Sequence, residues 1–270
     1  MPNFVALSRN LHAGKRWLRH SSYRFAAQDA VIPLVAQELP KAIMSLPVGF
    51  VATGGGFVPV AVQGLAPGQN LFVAPDGRWL AAYTPAAYRG YPFQLAHAEN
   101  GQQVLCFDEE SGLITDGPQG EPFFDEDNKP AKGVAEVMNF LTQVQANRVL
   151  TERVCALLQH HGLIQPWPLK VQEAGGERIV EGLYRIDEAA LNALPADAVV
   201  ALRNGGALPL AYCQLLSMQH LARLAPLAQA HAEAQAQAQA QAQPLPQTPA
   251  GDLDLEFLNK GGTISFGNLL

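Results

Sequence analysis

Apolar residues recur at every fourth position through Val31–Met44, at Val35, Leu39 and Ile43, which predicts one short helix. Pro33 can open such a helix, and Pro40 is expected to kink or end it. Two β-prone runs follow, Pro47–Ala52 and Phe57–Gln63, on either side of Thr53-Gly54-Gly55-Gly56; glycine tolerates the turn, so the pair predicts a hairpin. Asn70–Val73 and Arg78–Tyr83 flank Ala74-Pro75-Asp76-Gly77, whose order of Pro, Asp and Gly suits a type I turn and predicts a second hairpin. Joined through Gly64–Gly68, these runs make a β-meander of at least four strands, which needs a covering face to be stable. Val104–Asp108 is expected to be a further strand, and the acidic, Gly- and Pro-containing stretch 108–132 an exposed loop.

Helical spacing dominates the second half. Val134, Val137, Met138, Leu141 and Val144 share one face of 133–159, and Val149, Val154 and Leu157 follow, so two consecutive helices or one long bent helix are predicted, ending before Pro166–Pro168. Ile179–Ile186 is expected to be a strand, and Asp187 to cap a helix over 188–194 by accepting its free first-turn amides. A further helix is predicted over 207–228 with Pro209 in its first turn, where proline is tolerated. Residues 229–243 are an Ala-Gln repeat without an apolar stripe; it is expected to extend the preceding helix without packing on a core, and its role is that of a linker. In the tail, Leu253, Leu255 and Phe257 alternate with polar neighbours before Asn259-Lys260-Gly261-Gly262, which predicts a tethered terminal β-hairpin over 252–270.

Composition narrows the partners. Hydrophobic residues make 48% and charged residues 16% of the chain, with a net charge of −6. An acidic protein lacks the basic footprint that neutralises phosphate, which argues against nucleic acid and anionic membrane. The one basic cluster, Lys15, Arg16, Arg19 and Arg24, is explained more simply as a solvated face. Cys106, Cys155 and Cys213 lie far apart in apolar runs, which suits buried free thiols rather than a disulfide framework or a zinc site. No run approaches the ~20 apolar residues of a membrane span, so no membrane insertion is expected. Residues 1–24 lack a signal-peptide pattern, which points to the cytoplasm and leaves surface location through leaderless export open.

Candidate chemistry is sparse. Trp79, Tyr83, Tyr88, Tyr91 and Phe93 surround Arg89 within fifteen residues. Aromatic surface with a forked donor is the equipment of a binding site for a carboxylate or carbonyl; the competing reading makes the aromatics a core and pairs Arg89 with an acid. His97 and Glu99 match the His-x-acid half of a non-haem iron triad, with His160, His161 and His220 as candidates for the second histidine. The default for His160 and His161 is a position at a helix C-terminus, where the dipole favours a cation. Asp116, Glu121, Asp125, Glu126 and Asp127 lack the spacing of a calcium loop and suit a solvated loop. No serine nucleophile elbow, phosphate-binding loop, dinucleotide fingerprint or zinc-protease helix is present. No catalytic residue, metal or cofactor is therefore assigned.

Several segments in order carry a resemblance. Phe25-Ala26, Val31-Ile32-Pro33-Leu34 with Glu38, Leu46-Pro47-Val48-Gly49-Phe50 and Gly68-Gln69-Asn70-Leu71-Phe72-Val73 lead to the box Tyr88-Arg89-Gly90-Tyr91-Pro92-Phe93; Gly182–Glu188 and Leu253–Phe257 follow. In these the chain resembles the SapC family of bacterial proteins. The family box usually carries two adjacent arginines, and Gly90 stands here in place of the second. The family name, taken from a surface-layer locus, implies a surface-layer association; family genes lie near outer-membrane receptors, cupin-like hydroxylases and flavin-dependent halogenases. The reading adopted is an α+β protein with an N-terminal antiparallel β-meander half (about 1–108), a helical half (about 133–228), a linker over 229–251 and the terminal hairpin. Its expected role is non-catalytic: an accessory protein that presents a peptide or amino-acid-like ligand to a partner enzyme or receptor. A surface-layer protein and an iron-dependent oxygenase are the alternatives.

Overall fold

The computed structural model describes residues 2–97, 101–173 and 176–242. The chain divides into two units, 1–228 and 229–270. In chain order the first unit opens with β1 (Phe4–Ala6), α1 (Arg9–His12), β2 (Arg16–Trp17), β3 (Val31–Pro33), α2 (Leu39–Ala42), β4 (Val48–Thr53), β5 (Gly56–Val62) and α3 (Ala86–Arg89). It continues with β6 (Phe93–His97), β7 (Gln103–Asp108), β8 (Ile114–Thr115), β9 (Glu121–Pro122) and α4 (Lys132–His160). The closing elements are β10 (Ile164–Pro166), β11 (Leu169–Glu173), β12 (Gly176–Val180), β13 (Leu183–Ile186), α5 (Glu188–Asn192), α6 (Ala196–Asn204), α7 (Ala207–Ser217) and α8 (Leu224–Ala242), of which α8 runs on into the second unit. The protein is thus α+β, with antiparallel strands concentrated in the N-terminal half and helices in the C-terminal half.

The glycine-flanked hairpin forms as its sequence predicts: β4 and β5 pair from Val48↔Ala61 to Thr53↔Gly56. They lie inside a five-stranded antiparallel sheet of order β10-β13-β4-β5-β3, not in a meander. Val60, Ala61 and Val62 are all buried, so β5 is covered on both faces at that end. Helix α4 packs on β5, and α7 packs on β13 and β4. Together they enclose a core that includes Phe50, Phe72, Cys155, Leu158, Leu163 and Leu202.

A buried amide repairs this sheet. Strands β13 and β4 pair only at Leu183↔Val51 and Tyr184↔Phe50. In that register Ile186 would face Val48, but the side chain of Gln214 in α7 lies between them. Its Oε1 accepts from the Ile186 amide at 2.9 Å and its Nε2 donates to the Val48 carbonyl at 3.0 Å. Ser217 Oγ accepts the Val48 amide at 2.9 Å. Both side chains are fully buried, and they satisfy backbone groups that would otherwise be desolvated without partners.

A second, aromatic core lies under the sheet β1-β7-β6 and the small sheet β8-β2-β9. Trp17, Phe93, Phe107 and Phe123 meet edge to face, with Trp17–Phe93 at 4.8 Å and both Phe93–Phe107 and Phe107–Phe123 at 5.1 Å, the arrangement ring quadrupoles prefer. Helix α4 has 29 residues, about 44 Å at 1.5 Å per residue. Its start (Val134, Val137, Leu141) packs on the aromatic core and its end (Cys155, Leu158) on the main core.

Several expectations are corrected. The periodic segment 31–44 is not one helix: Val31–Pro33 pairs with β5, and only a 3-10 turn (Ala36–Glu38) followed by α2 is helical, with Pro40 in its first turn. The Ala74–Gly77 turn closes by hydrogen bonds from Gly77 N to Ala74 O and from Ala74 N to Arg78 O, but its flanks share only the bridge Val73↔Trp79. The segment 133–159, by contrast, is a single long helix, one of the two predicted alternatives. The predicted strand 179–186 is two, β12 and β13, because Gly182 at φ +86° breaks it. The helix predicted over 207–228 divides into α7, a 3-10 stretch (Met218–Arg223) and the start of α8, and α6 was not anticipated. Asp187 does cap α5, its Oδ1 accepting from Ala190 N at 3.0 Å. The expected terminal hairpin lies outside the described residues.

The N-terminal basic residues disperse into loop contacts. Arg16 donates to Gly120 O, Arg19 pairs with Glu121 at 2.7 Å, and Arg24 donates to Pro75 O. Among the described residues no helix is long and apolar enough to cross a membrane. All three cysteines are free; Cys106 and Cys155 are buried and Cys213 is half-buried. Burial, with Glu152 nearby, pushes the Cys155 thiol up to about 12, and burial raises the other two as well. Because the thiolate is the reactive form, mass-spectrometric footprinting of the native protein with iodoacetamide at pH 8 should leave Cys155 unlabelled until denaturant is added. Labelling of Cys155 at the rate of Cys213 would contradict this packing.

Candidate binding site around helix α3

The short helix α3 is held in place from below. Glu38 is 5% exposed, yet three donors converge on its carboxyl group. Oε1 accepts from Val35 N, a free amide at the start of Glu38's own turn, and Oε2 accepts from Ala86 N and from the Tyr83 hydroxyl, all at 2.8 Å. The three donors share its two oxygens, one on Oε1 and two on Oε2. Trp79 Nε1 donates to Tyr83 O at 2.9 Å, and Tyr83 N donates to Ser45 Oγ at 3.3 Å. The segment that joins Trp79 to α3 is therefore fixed by polar contacts as well as by packing.

The six residues of the aromatic segment separate. Phe93 is buried in the aromatic core. Tyr88 is buried too; its hydroxyl lies 2.8 Å from Gln63 Oε1 and 3.0 Å from Asp29 Oδ2, and burial holds its phenol well above the usual range. Trp79 is half-buried against Phe72 and Tyr88. Tyr91 stacks on Phe25 at 3.8 Å and donates to Asp108 Oδ2 at 3.2 Å; burial and that carboxylate push its phenol up to about 12. Tyr83 and Arg89 meet: Arg89 Nη2 donates to the Tyr83 hydroxyl at 3.1 Å. The guanidinium lies 5.0 Å from the centre of the Phe140 ring and 5.6 Å from that of Tyr83, within cation–π range.

Arg89 and Tyr83 open onto a cleft of about 140 Å³ between α3, α2 with its preceding turn, and the middle of α4. A cavity of ~150 Å³ can hold a molecule the size of benzene. Gln37, Lys41, Phe140, Gln143 and Asn147 also line it, as does Glu38, whose carboxyl oxygens are taken up by the three donors above. Arg89 is exposed and forms no ion pair with any described carboxylate, contrary to the expectation that a core role would pair it with an acid. Asn147 Nδ2 donates to Gln37 Oε1 at 2.8 Å, bridging the two walls. Sequence reasoning missed Glu38 as a support and every contribution from α4. The spacing of Glu38 three residues after Val35 was the available signal.

Gly90, at the position of the second arginine, touches α4. A Cβ there would come within 2.7 Å of Leu141 Cδ2, so a longer side chain would have to displace Leu141. Of the iron-site candidates, His97 ends β6 and Glu99 lies outside the described residues. His220 meets the Ile43 carbonyl through Nε2 at 2.7 Å, and His160 and His161 contact each other at the end of α4. Among the described residues no group of histidine, cysteine and acidic side chains is arranged to hold a metal ion.

The match to a family model settles the relationship. It is the SapC model, and it spans residues 7–224, which takes in both cores and all of α3 and its cleft. The chain belongs to the SapC family. Comparison with curated proteins and with solved structures returns no match.

Two outcomes follow for this SapC protein. Removing Glu38 leaves the Val35 and Ala86 amides without their buried acceptor; at ~1.5–3 kcal/mol for a hydrogen bond to a charged group, Glu38→Ala should lower unfolding free energy by about 3 kcal/mol in urea titration. His20 Nδ1 donates to the Tyr91 carbonyl at 3.0 Å among the rings of Tyr23, Phe25 and Tyr91. Burial lowers its pKa below the ordinary 6.5, outweighing the raising effect of that hydrogen bond. The stability it contributes is therefore present above pH 6.5 and is lost as pH falls through the folded-state value. An NMR titration should find His20 titrating below the ordinary 6.5.

Proposed function

We propose that this SapC protein is a non-catalytic binding protein whose α3 cleft takes the carboxylate end of a peptide or amino-acid-like ligand and presents it to a partner enzyme or receptor. The observation that carries the reading is Arg89: an exposed guanidinium, steadied by Tyr83 and Phe140, that has no carboxylate of its own among the described residues. A planar fork of donors matches a carboxylate in two-point contact. Lys41 of α2 adds a second positive charge to the lining, and the Gln37, Gln143 and Asn147 amides supply neutral polar contacts for a peptide unit. Phe140 and Val144 give the cleft an apolar side, so the lining combines orientation with desolvation as small-ligand sites do.

Calorimetric titration with a panel of free amino acids and dipeptides, each compared with its C-terminal amide, tests this. The free acids should bind and the amides should bind at least tenfold more weakly. Arg89→Ala should weaken the free acids by roughly 10–100-fold, the range set by ~1.5–3 kcal/mol for charge-assisted hydrogen bonds. Equal affinity for acid and amide, or no response to Arg89→Ala, would sink the proposal.

A further inference from the structure

Helix α3 has a second cleft, on the face that carries Tyr88 rather than Arg89. Its volume is about 600 Å³, and Phe25, Ile32, Tyr88 and Tyr91 form its apolar and aromatic wall. Phe25 and Tyr91 stack at 3.8 Å with 12° between their planes, and Tyr88 meets Phe25 edge on at 5.7 Å. This rigid aromatic wall carries negative ring faces. The charged side chains around it are all of one sign: Asp29, Asp108 and Glu110, with no lysine, arginine or histidine in the lining. None of the three forms an ion pair with a described residue.

The carboxylates are not equivalent. Asp108 is buried, and its oxygens are occupied by the Asn3 and Glu110 amides and the Tyr91 hydroxyl. Asp29 accepts from Tyr88 through Oδ2 only, which leaves Oδ1 for a ligand. Half-burial already holds the Asp29 carboxyl above its ordinary range, the mark of a carboxylate desolvated without a compensating cation. Aromatic faces beside carboxylates are the combination that recognises an ammonium group.

We propose that the cleft bounded by Phe25, Asp29, Tyr88 and Tyr91 is a binding site for an alkylammonium group, such as a basic side chain or a free amine. The ammonium lies against Tyr91 and Phe25 and donates to Asp29 Oδ1, while Asp108 and Glu110 supply field. The site is separate from the Arg89 cleft, requires a ligand group of opposite charge, and stands whether or not that cleft binds a carboxylate.

The probe is n-butylammonium chloride, compared with n-butanol, which has the same alkyl chain without the charge. NMR titration of the full-length protein follows the ring signals of Phe25, Tyr88 and Tyr91. Saturable shifts are expected with the ammonium, at least tenfold weaker with butanol, and weaker in high salt. Asp29→Asn keeps an acceptor for Tyr88 and should cut ammonium affinity at least tenfold. The same charge change at the exposed loop residue, Glu126→Gln, should leave it unchanged. Should Asp29→Asn fail to fold, Glu110→Gln at the exposed rim is expected to weaken binding by about twofold, the effect of a distant charge. The proposal is overturned by an absence of saturable shifts, by equal binding of butanol, or by ammonium binding that neither salt nor these cleft variants reduce.

Discussion

The carboxylate of Glu38 sits where three separate pieces of chain meet, and their arrangement depends on it. A buried carboxylate costs several kcal/mol in lost hydration unless donors surround it. Here the donors are the Val35 amide, the Ala86 amide and the Tyr83 hydroxyl. Satisfying this one group fixes the turn before α2, the start of α3 and the ring against which Arg89 rests. α3 has only four residues and could not persist alone, since helix nucleation is unfavourable and propagation over so short a length cannot offset it. Its geometry is imposed by tertiary contacts, and so is that of both clefts beside it.

The Arg89 cleft lies along the part of α4 between the main and aromatic cores, and the Tyr88 cleft is walled in part by a third apolar cluster around Ala26, Val73 and Tyr88. α4 belongs to both cores at its two ends, and in between its polar side chains Gln143 and Asn147 face α2 and α3. A helix committed at its ends has little freedom in the middle, so this part can present polar groups without contributing to either core. The apolar positions of α4 serve different neighbours at its two ends. Fixed walls of this kind suit a binding site, because little ordering has to occur when a ligand arrives.

What the sequence disclosed was local. The Thr53–Gly56 turn and the Asp187 cap were legible because the residues that make them are adjacent in the chain. The periodicity of Val35, Leu39 and Ile43 misled because Val31–Pro33 finds a strand partner in β5, and pairing overrides propensity. The Ala74–Gly77 turn was legible, but its flanks did not become strands: Asn70 instead bonds the Ala26 carbonyl and the Phe72 amide, taking the place of a ladder. The Ala198 and Leu202 spacing was a signal for α6 that went unread. The aromatic segment stood out as a unit, yet its division into buried rings and two clefts of unlike charge could not be seen, because Phe140, Asn147, Phe25, Asp29 and Asp108 come from distant parts of the chain.

Gln214 carries a consequence for the order in which the molecule is made. The β4–β5 hairpin is local and can close as soon as residue 62 is available, but β13 joins β4 through only two paired residues before the ladder gives way to a side chain from α7. During synthesis, which proceeds from the N-terminus, the central sheet therefore stays incomplete until α7 has left the ribosome. Until then the edge of β4 at Val48 is an open template, and α7 acts as the latch that closes it.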